Sequence, residues 1–232
     1  LQLQGPNSGE IMIKLFGEGI KDLKYYWFKE LDLDGIPLIV SRTGWSSEFG
    51  YELYLEHSDK GDVLFETLLK VGEPFGIAPG AVNQTRRIES GILSWGVDMG
   101  IEENPYEVGL GRLVELDNTN DFIGRKVLER LKNEVVDKTL VGLSIDGSAI
   151  ESNETPWPLF SDKKHIGKLT SLSYSPRLGK NIALGLVRKE FSRIGTRLCV
   201  STWDGDKKAI VTKLPFLPKL QTGDARALLK AP

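Results

Sequence analysis

The chain has 232 residues, 40% hydrophobic and 27% charged, with acids and bases interspersed to a net charge of −2. That is enough for one large or two ordinary domains with a sizeable core, while the lack of a basic stripe argues against nucleic acid and no apolar run approaches the ~18 residues of a membrane span. One cysteine, Cys199, excludes an intrachain disulfide framework, and with only His57 and His165 no usual metal site can be assembled; a reducing, cytoplasmic setting is expected.

The opening Leu1-Gln2-Leu3-Gln4-Gly5-Pro6 alternates from its first residue and has neither Met nor a signal peptide. The chain is expected to enter in mid-strand, as a fragment. Asn7 or Ser8 can cap a helix to about residue 16, whose apolar positions Ile11, Met12, Leu15 and Phe16 recur at helical spacing; Gly17 and Gly19 end it. Residues 23–33 and 36–41 read as a hairpin about Asp34-Gly35, a strong two-residue turn signal. A Gly-Ser loop follows over 42–48. Residues 49–56 then alternate, Tyr51, Leu53 and Leu55 facing one way and Glu52, Tyr54 and Glu56 the other.

Asp62 can cap a helix over 63–71. A second helix is predicted over 82–94, with Arg86, Arg87, Ile88 and Ile92; Gly91 inside it costs about 1 kcal/mol against Ala, which a close packing contact would explain. Residues 97–123 read as irregular, 124–131 as a short helix and 132–137 as a polar junction. From residue 138 the texture is β-rich, with runs at 139–145, 166–174, 181–188, 196–203 and 208–213 that suggest a sandwich or barrel. A loose tail is expected over 223–232.

Several residues have two readings. Glu52, in mid-strand, is a solvent-facing acid or a carboxylate accepting two hydrogen bonds from a flat N–H edge. Arg87 is an ion-paired helix residue or a charged donor to a ligand, and helical phase does not choose between it and Arg86. Trp45 either caps the core or stacks on a heterocycle or cation. Asp98, after Gly96 at a helix end, reads as a turn-forming acid. Gly5, Gly44, Gly50 and Gly109 mark unusual backbone angles or close approach.

Arg42-Thr43-Gly44-Trp45-Ser46-Ser47-Glu48-Phe49-Gly50-Tyr51-Glu52 resembles the Arg-Thr-Gly-Tyr-Thr-Gly-Glu-Asp-Gly-Phe-Glu signature of the glycine-cleavage T-protein family. Arg87-Ile88-Glu89-Ser90-Gly91, running to Gly96-Val97-Asp98, is similar to its Arg-Leu-Glu-Ala-Gly helix. Asn104-Pro105-Tyr106-Glu107-Val108-Gly109-Leu110, Asp121-Phe122-Ile123-Gly124-Arg125, Ser175-Pro176, Lys180 to Gly185, Gly195-Thr196 and Pro215-Phe216-Leu217-Pro218 follow in the family's order. The resemblance covers about residues 1–218.

It implies an α+β chain with part of the three-domain T-protein fold. Residues 1–98 would be the second half of the folate-binding domain and 99–136 the returning segment of a second, ferredoxin-like α+β domain. Residues 137–222 would be an all-β C-terminal barrel or jelly-roll-like domain. The aspartate usually assigned as catalytic precedes residue 1, so residues 1–232 alone are expected to turn over no substrate. Glu52 and Arg87 carry over as folate-binding, Trp45 as folate- and substrate-binding, and Tyr106 as substrate-binding; no metal is implied. A tyrosine near the family's C-terminus has no match, since Gln221 and Thr222 stand there.

The Trp-Ser-Ser-Glu-Phe-Gly version of the loop is closer to the dimethylsulfoniopropionate demethylase branch. It implies methyl transfer from a small sulfonium or methylated amine to N5 of tetrahydrofolate. The alternatives are aminomethyl transfer from a lipoyl carrier protein, the folate domain of a dimethylglycine- or sarcosine-oxidising flavoprotein, and a non-enzymatic folate-binding protein of iron–sulfur assembly. That last branch carries a cysteine in its loop, and this chain has none near residue 45.

Overall fold

The computed structural model describes residues 1–46, 48–80, 83–118 and 120–217. Ser47 of the signature loop, Val82 at the start of the predicted second helix, residues 218–222 with Gln221 and Thr222, and the predicted tail lie outside the described residues. Among the described residues the chain forms two compact units, 1–83 and 84–217.

In the first unit, strands β1 (Gln2–Gln4), β2 (Phe28–Leu33), β3 (Ile36–Ser41) and β4 (Gly50–Leu55) form an antiparallel sheet in the order β1-β4-β3-β2. Helices α1 (Ser8–Phe16) and α2 (Gly61–Gly72) supply the apolar side that the sheet needs. Leu3, Leu38, Val40, Tyr51 and Leu53 form one buried core with Ile11, Met12, Leu64 and Leu68. The predicted hairpin is present: Asp34 and Gly35 both take positive φ, 51° and 84°, as a two-residue turn between right-twisted strands requires. It is shorter than predicted, because Tyr26 at φ 66° breaks extended geometry ahead of β2. Asn7 precedes α1 but does not cap it; its amide instead donates to the Phe75 carbonyl at 2.8 Å.

The second unit is a closed six-stranded barrel with α3 (Gln84–Glu89) packed on it and α4 (Arg125–Lys132) in the segment before it. Its strands are β5 (Lys138–Ile145), β6 (Trp157–Ser161), β7 (Lys164–Ser175), β8 (Lys180–Arg188), β9 (Arg197–Thr202) and β10 (Gly205–Thr212), in the closed order β10-β5-β8-β7-β6-β9. Inward side chains, among them Leu143, Leu159, Leu169, Val187 and Val200, fill it as a packed core. Five of the six strands match predicted runs. The sixth, β6, was hidden by its brevity and by Pro158, a residue rare inside strands; it pairs with β7 and β9 and closes the cylinder.

The predicted helix over 82–94 is corrected. It ends at Glu89, and Gly91 at φ 64° turns the chain out of it. Only glycine adopts that conformation without cost; Gly91 is a stop, not an interior residue awaiting a close contact.

Candidate functional site

Strand periodicity creates the site. With one face of the first sheet buried against α1 and α2, every second residue points to the other face. Register lines these up in rows. Gln2 lies opposite Glu52, Glu52 opposite Ser41, and Ser41 opposite Phe28; the next row runs Tyr54, Ile39, Glu30. Phe28 is 62% and Tyr54 51% exposed on this face. The first row therefore passes from amide and carboxylate at one end to an exposed ring at the other.

Glu52 is half-buried at the centre of that row. Its Oε1 accepts from Gln2 Nε2 at 2.9 Å, and its Oε2 accepts from the Thr43 hydroxyl. The Thr43 hydroxyl lies 2.8 Å from that of Ser41. Each carboxylate oxygen has two lone pairs, so these donors leave acceptor capacity on the open side. Burial raises the Tyr54 phenol above its ordinary value, and the adjacent Glu52 charge raises it further.

Arg42 and Gln4 shape the loop that delivers Thr43 and Trp45. Arg42 is buried; its Nη1 donates to the Gly50 carbonyl at 3.2 Å and its guanidinium stacks 3.8 Å from the Phe49 ring centroid. Burial lowers its pKa, while neighbouring Tyr51 works the other way. Gln4 Nε2 donates to the carbonyls of Thr43 and Tyr51, both at 3.2 Å, and its Oε1 accepts from Ser46 Oγ at 2.9 Å. A Cβ at Gly44 would collide with the Gln4 side chain, and one at Gly50 would sit 2.5 Å from the Leu3 carbonyl oxygen. Close approach thus accounts for both glycines. Trp45 is half-buried in this loop.

The structure places Glu52 and Trp45 in the first unit and Arg87 and Tyr106 in the second. Arg87 is 1% exposed. Its guanidinium donates to Gln84, to the Ile92 carbonyl at 3.0 Å, to Asp98 Oδ2 at 2.6 Å and to Ser171 Oγ at 2.7 Å. Asp98 also accepts from the Ser94 backbone at 2.9 Å and from the hydroxyls of Thr170 and Ser171, both at 2.6 Å. Thr85 meets Ser173 at 2.5 Å and Ser175 donates to Glu89 at 2.6 Å, so alternate serines of β7 fasten α3 to the barrel. The Tyr106 hydroxyl donates to the Leu128 carbonyl at 3.1 Å, and its ring packs where a Gly111 side chain would lie.

Sequence reasoning missed Gln2, Ser41 and Thr43 as partners of Glu52. Gln2 and Ser41 carried a usable signal, since both lie in phase with the open face. Asp98, read as a turn-former, proved to be the buried partner of Arg87. Among the described residues no group of three or more His, Cys, Asp or Glu is placed to hold a metal, and no helix is long and apolar enough to cross a membrane.

Two family models match the chain: the GCVT N-terminal domain over residues 1–118 and the glycine cleavage T-protein C-terminal barrel domain over 138–217. The chain belongs to the glycine cleavage T-protein family. The first match takes in the Glu52 sheet and the Arg87 and Asp98 side of the buried network of this T-protein chain; the second takes in the barrel, with Thr170 and Ser171 of that network. It is 35% identical to the dimethylsulfoniopropionate demethylase of Ruegeria pomeroyi over 91% of its own length and 57% of that protein's. It is 39% identical to an aminomethyltransferase of Desulfitobacterium hafniense over 86% of its length and 54% of that protein's. The chain thus spans a little over half the length of the T-protein relatives it matches. In fold it is similar to the glycine cleavage system aminomethyltransferase T of Bartonella henselae, with TM-score 0.78 and 21% identity over 94% of this chain and 59% of that one.

Proposed function

We propose that the open face of the first sheet is a tetrahydrofolate-binding surface and that the protein moves a methyl group from a small sulfonium or methylated amine to folate N5. The observation that carries this reading is the Glu52 carboxylate, held by donors on two sides and presenting acceptor capacity to the open face. A carboxylate so placed accepts the paired N–H groups of a flat aminopyrimidinone edge, a charge-assisted pairing with directional specificity. Trp45, in the adjoining loop, is proposed to stack on the heterocycle or to face the cationic donor. The similarity to a sulfonium demethylase supports this donor class.

In the proposed reaction the N5 lone pair attacks the methyl carbon. The carbon–sulfur bond breaks with its electrons going to sulfur, a neutral thioether leaves, and N5 releases its proton to water. The protein's part is alignment, which is worth several kcal/mol when the reacting atoms are held at contact distance, roughly 7 at the lower end for well-oriented intramolecular cases. Arg87, which the resemblance assigns to the folate site, is proposed to act by holding the 84–98 segment to the barrel, since a direct ligand contact would displace its present partners. Tyr106 is proposed to support its own segment through Leu128. The family division at 98/99 and 136/137 and a cytoplasmic location are proposed with this reading.

The complete product of the gene, incubated with tetrahydrofolate and dimethylsulfoniopropionate, is expected to form 5-methyltetrahydrofolate, and Glu52→Ala is expected to abolish it. Residues 1–232 alone are expected to form none. A second reading, aminomethyl transfer from a lipoyl carrier protein, is favoured by the 39% identity to an aminomethyltransferase. Folate binding without product from the sulfonium, and product from the aminomethyl carrier, would select it.

A further inference from the structure

We infer that Thr43 and Gln2 are positioning residues that clamp the Glu52 carboxylate for two-point recognition of an amidine-like N–H edge. This rests on the reading of the open sheet face as a folate surface. A glutamate in mid-strand on an open face is ordinarily free to sample several rotamers, and that freedom is lost on binding. Here it is already reduced. Gln2 reaches Oε1 from edge strand β1, and Thr43 reaches Oε2 from the loop after β3, so one donor holds each oxygen from opposite sides of β4. The Ser41 hydroxyl, 2.8 Å from that of Thr43, can donate to Thr43 while Thr43 donates to Glu52. The clamp is therefore a relay from β3 through the loop to the carboxylate, completed by an amide from β1.

The arrangement has a chemical consequence. A carboxylate with both oxygens pinned presents its remaining lone pairs in one fixed plane, which suits two parallel N–H donors and not a single one. The clamp should therefore govern preference between ligands more than adhesion as such. The Thr43 backbone has its own duty, since its carbonyl accepts from Gln4 at 3.2 Å. A side-chain substitution leaves that tie in place.

The test measures dissociation constants of the complete gene product for tetrahydrofolate and for its analogue lacking the 2-amino group, with thermal midpoints alongside. The wild type is expected to prefer tetrahydrofolate. Thr43→Val, which keeps the shape and removes the donor, is expected to weaken tetrahydrofolate about tenfold, one charge-assisted hydrogen bond's worth, with the analogue unchanged. Thr43→Ser should restore the preference, and Gln2→Leu, on the exposed edge strand, should reduce it without lowering the midpoint. Equal weakening of both ligands by Thr43→Val and Gln2→Leu, or an unchanged preference in both, overturns the inference. Should Thr43→Val not fold, Gln2→Leu decides alone. A preference that survives Glu52→Ala, or is absent from the wild type, overturns the folate reading itself and this inference with it.

Discussion

Glu52 in the first unit and Asp98 in the second are both carboxylates that accept from side-chain hydroxyls, yet they are finished differently. Asp98 is completely enclosed and takes a guanidinium, a backbone N–H and two hydroxyls, so its oxygens have no capacity left. Glu52 takes one amide and the Thr43 hydroxyl, with the Tyr54 phenol beside it, and is half-buried on an open face. Counting donors against lone pairs separates a carboxylate that fastens the fold from one that can receive a ligand. Two of the motif regions that carry the family resemblance are in this sense unlike: the Asp98 carboxylate of the Arg87 segment is filled by donors of the protein itself, while the Glu52 carboxylate is not.

The sharpest break of this comparison is at the ion pair. Arg87→Ala leaves Asp98 charged and buried, and is expected to cost about 3–5 kcal/mol, read as a fall in the denaturant midpoint. Arg87→Met combined with Asp98→Leu should cost less than the sum of the single changes, because no orphaned charge remains. Additive losses would show that the pair is not coupled.

Next comes the loop that carries Thr43. Gly50→Ala forces a Cβ toward the Leu3 carbonyl, and about 1–3 kcal/mol of destabilisation is expected from such overpacking. Gly44→Ala meets the hydrogen-bonded end of the Gln4 side chain rather than a backbone atom, and should cost less; the same denaturation series ranks them. Smaller again is Glu52→Ala: it removes two hydrogen bonds on an open face, where water replaces the carboxylate, and about 0.5 kcal/mol of destabilisation is expected. A large loss there would make Glu52 a fastening residue like Asp98.

A titration probes the first unit separately. Burial, with help from Tyr26, pushes the Tyr25 phenol up to about 12. Its folded value lies above the unfolded one, near 10, so its contribution to stability is fully present below pH 10. That contribution is lost as pH rises from 10 toward 12. Ultraviolet absorbance should show late tyrosinate formation whose amplitude near pH 12 falls in Tyr25→Phe.

How much of this the sequence disclosed follows from the range of each interaction. The hairpin, the alternation of β4 and the open-face placement of Glu52 are local, set by turn chemistry and a period of two, and could be read directly. The end of α3 was misplaced because helical periodicity continued past Gly91 through Ile92, and only the backbone angle reveals the stop. The partners of Arg87 on β7 lie 84 residues away, beyond any local pattern. Brevity and Pro158 disguised β6, whose identity comes from the neighbours it pairs with. Thr43 was in view throughout as a motif residue; its role needed the loop's path, which Arg42 and Gln4 set through contacts no periodicity encodes.

The most direct test of the open-face site is equilibrium binding of tetrahydrofolate to the complete gene product and its Glu52→Ala variant, with unfolding midpoints measured on the same samples. The account predicts that binding falls by about a hundredfold, the upper range for a charge-assisted hydrogen bond, while the midpoint holds. Undiminished binding in Glu52→Ala at an unchanged midpoint would contradict it.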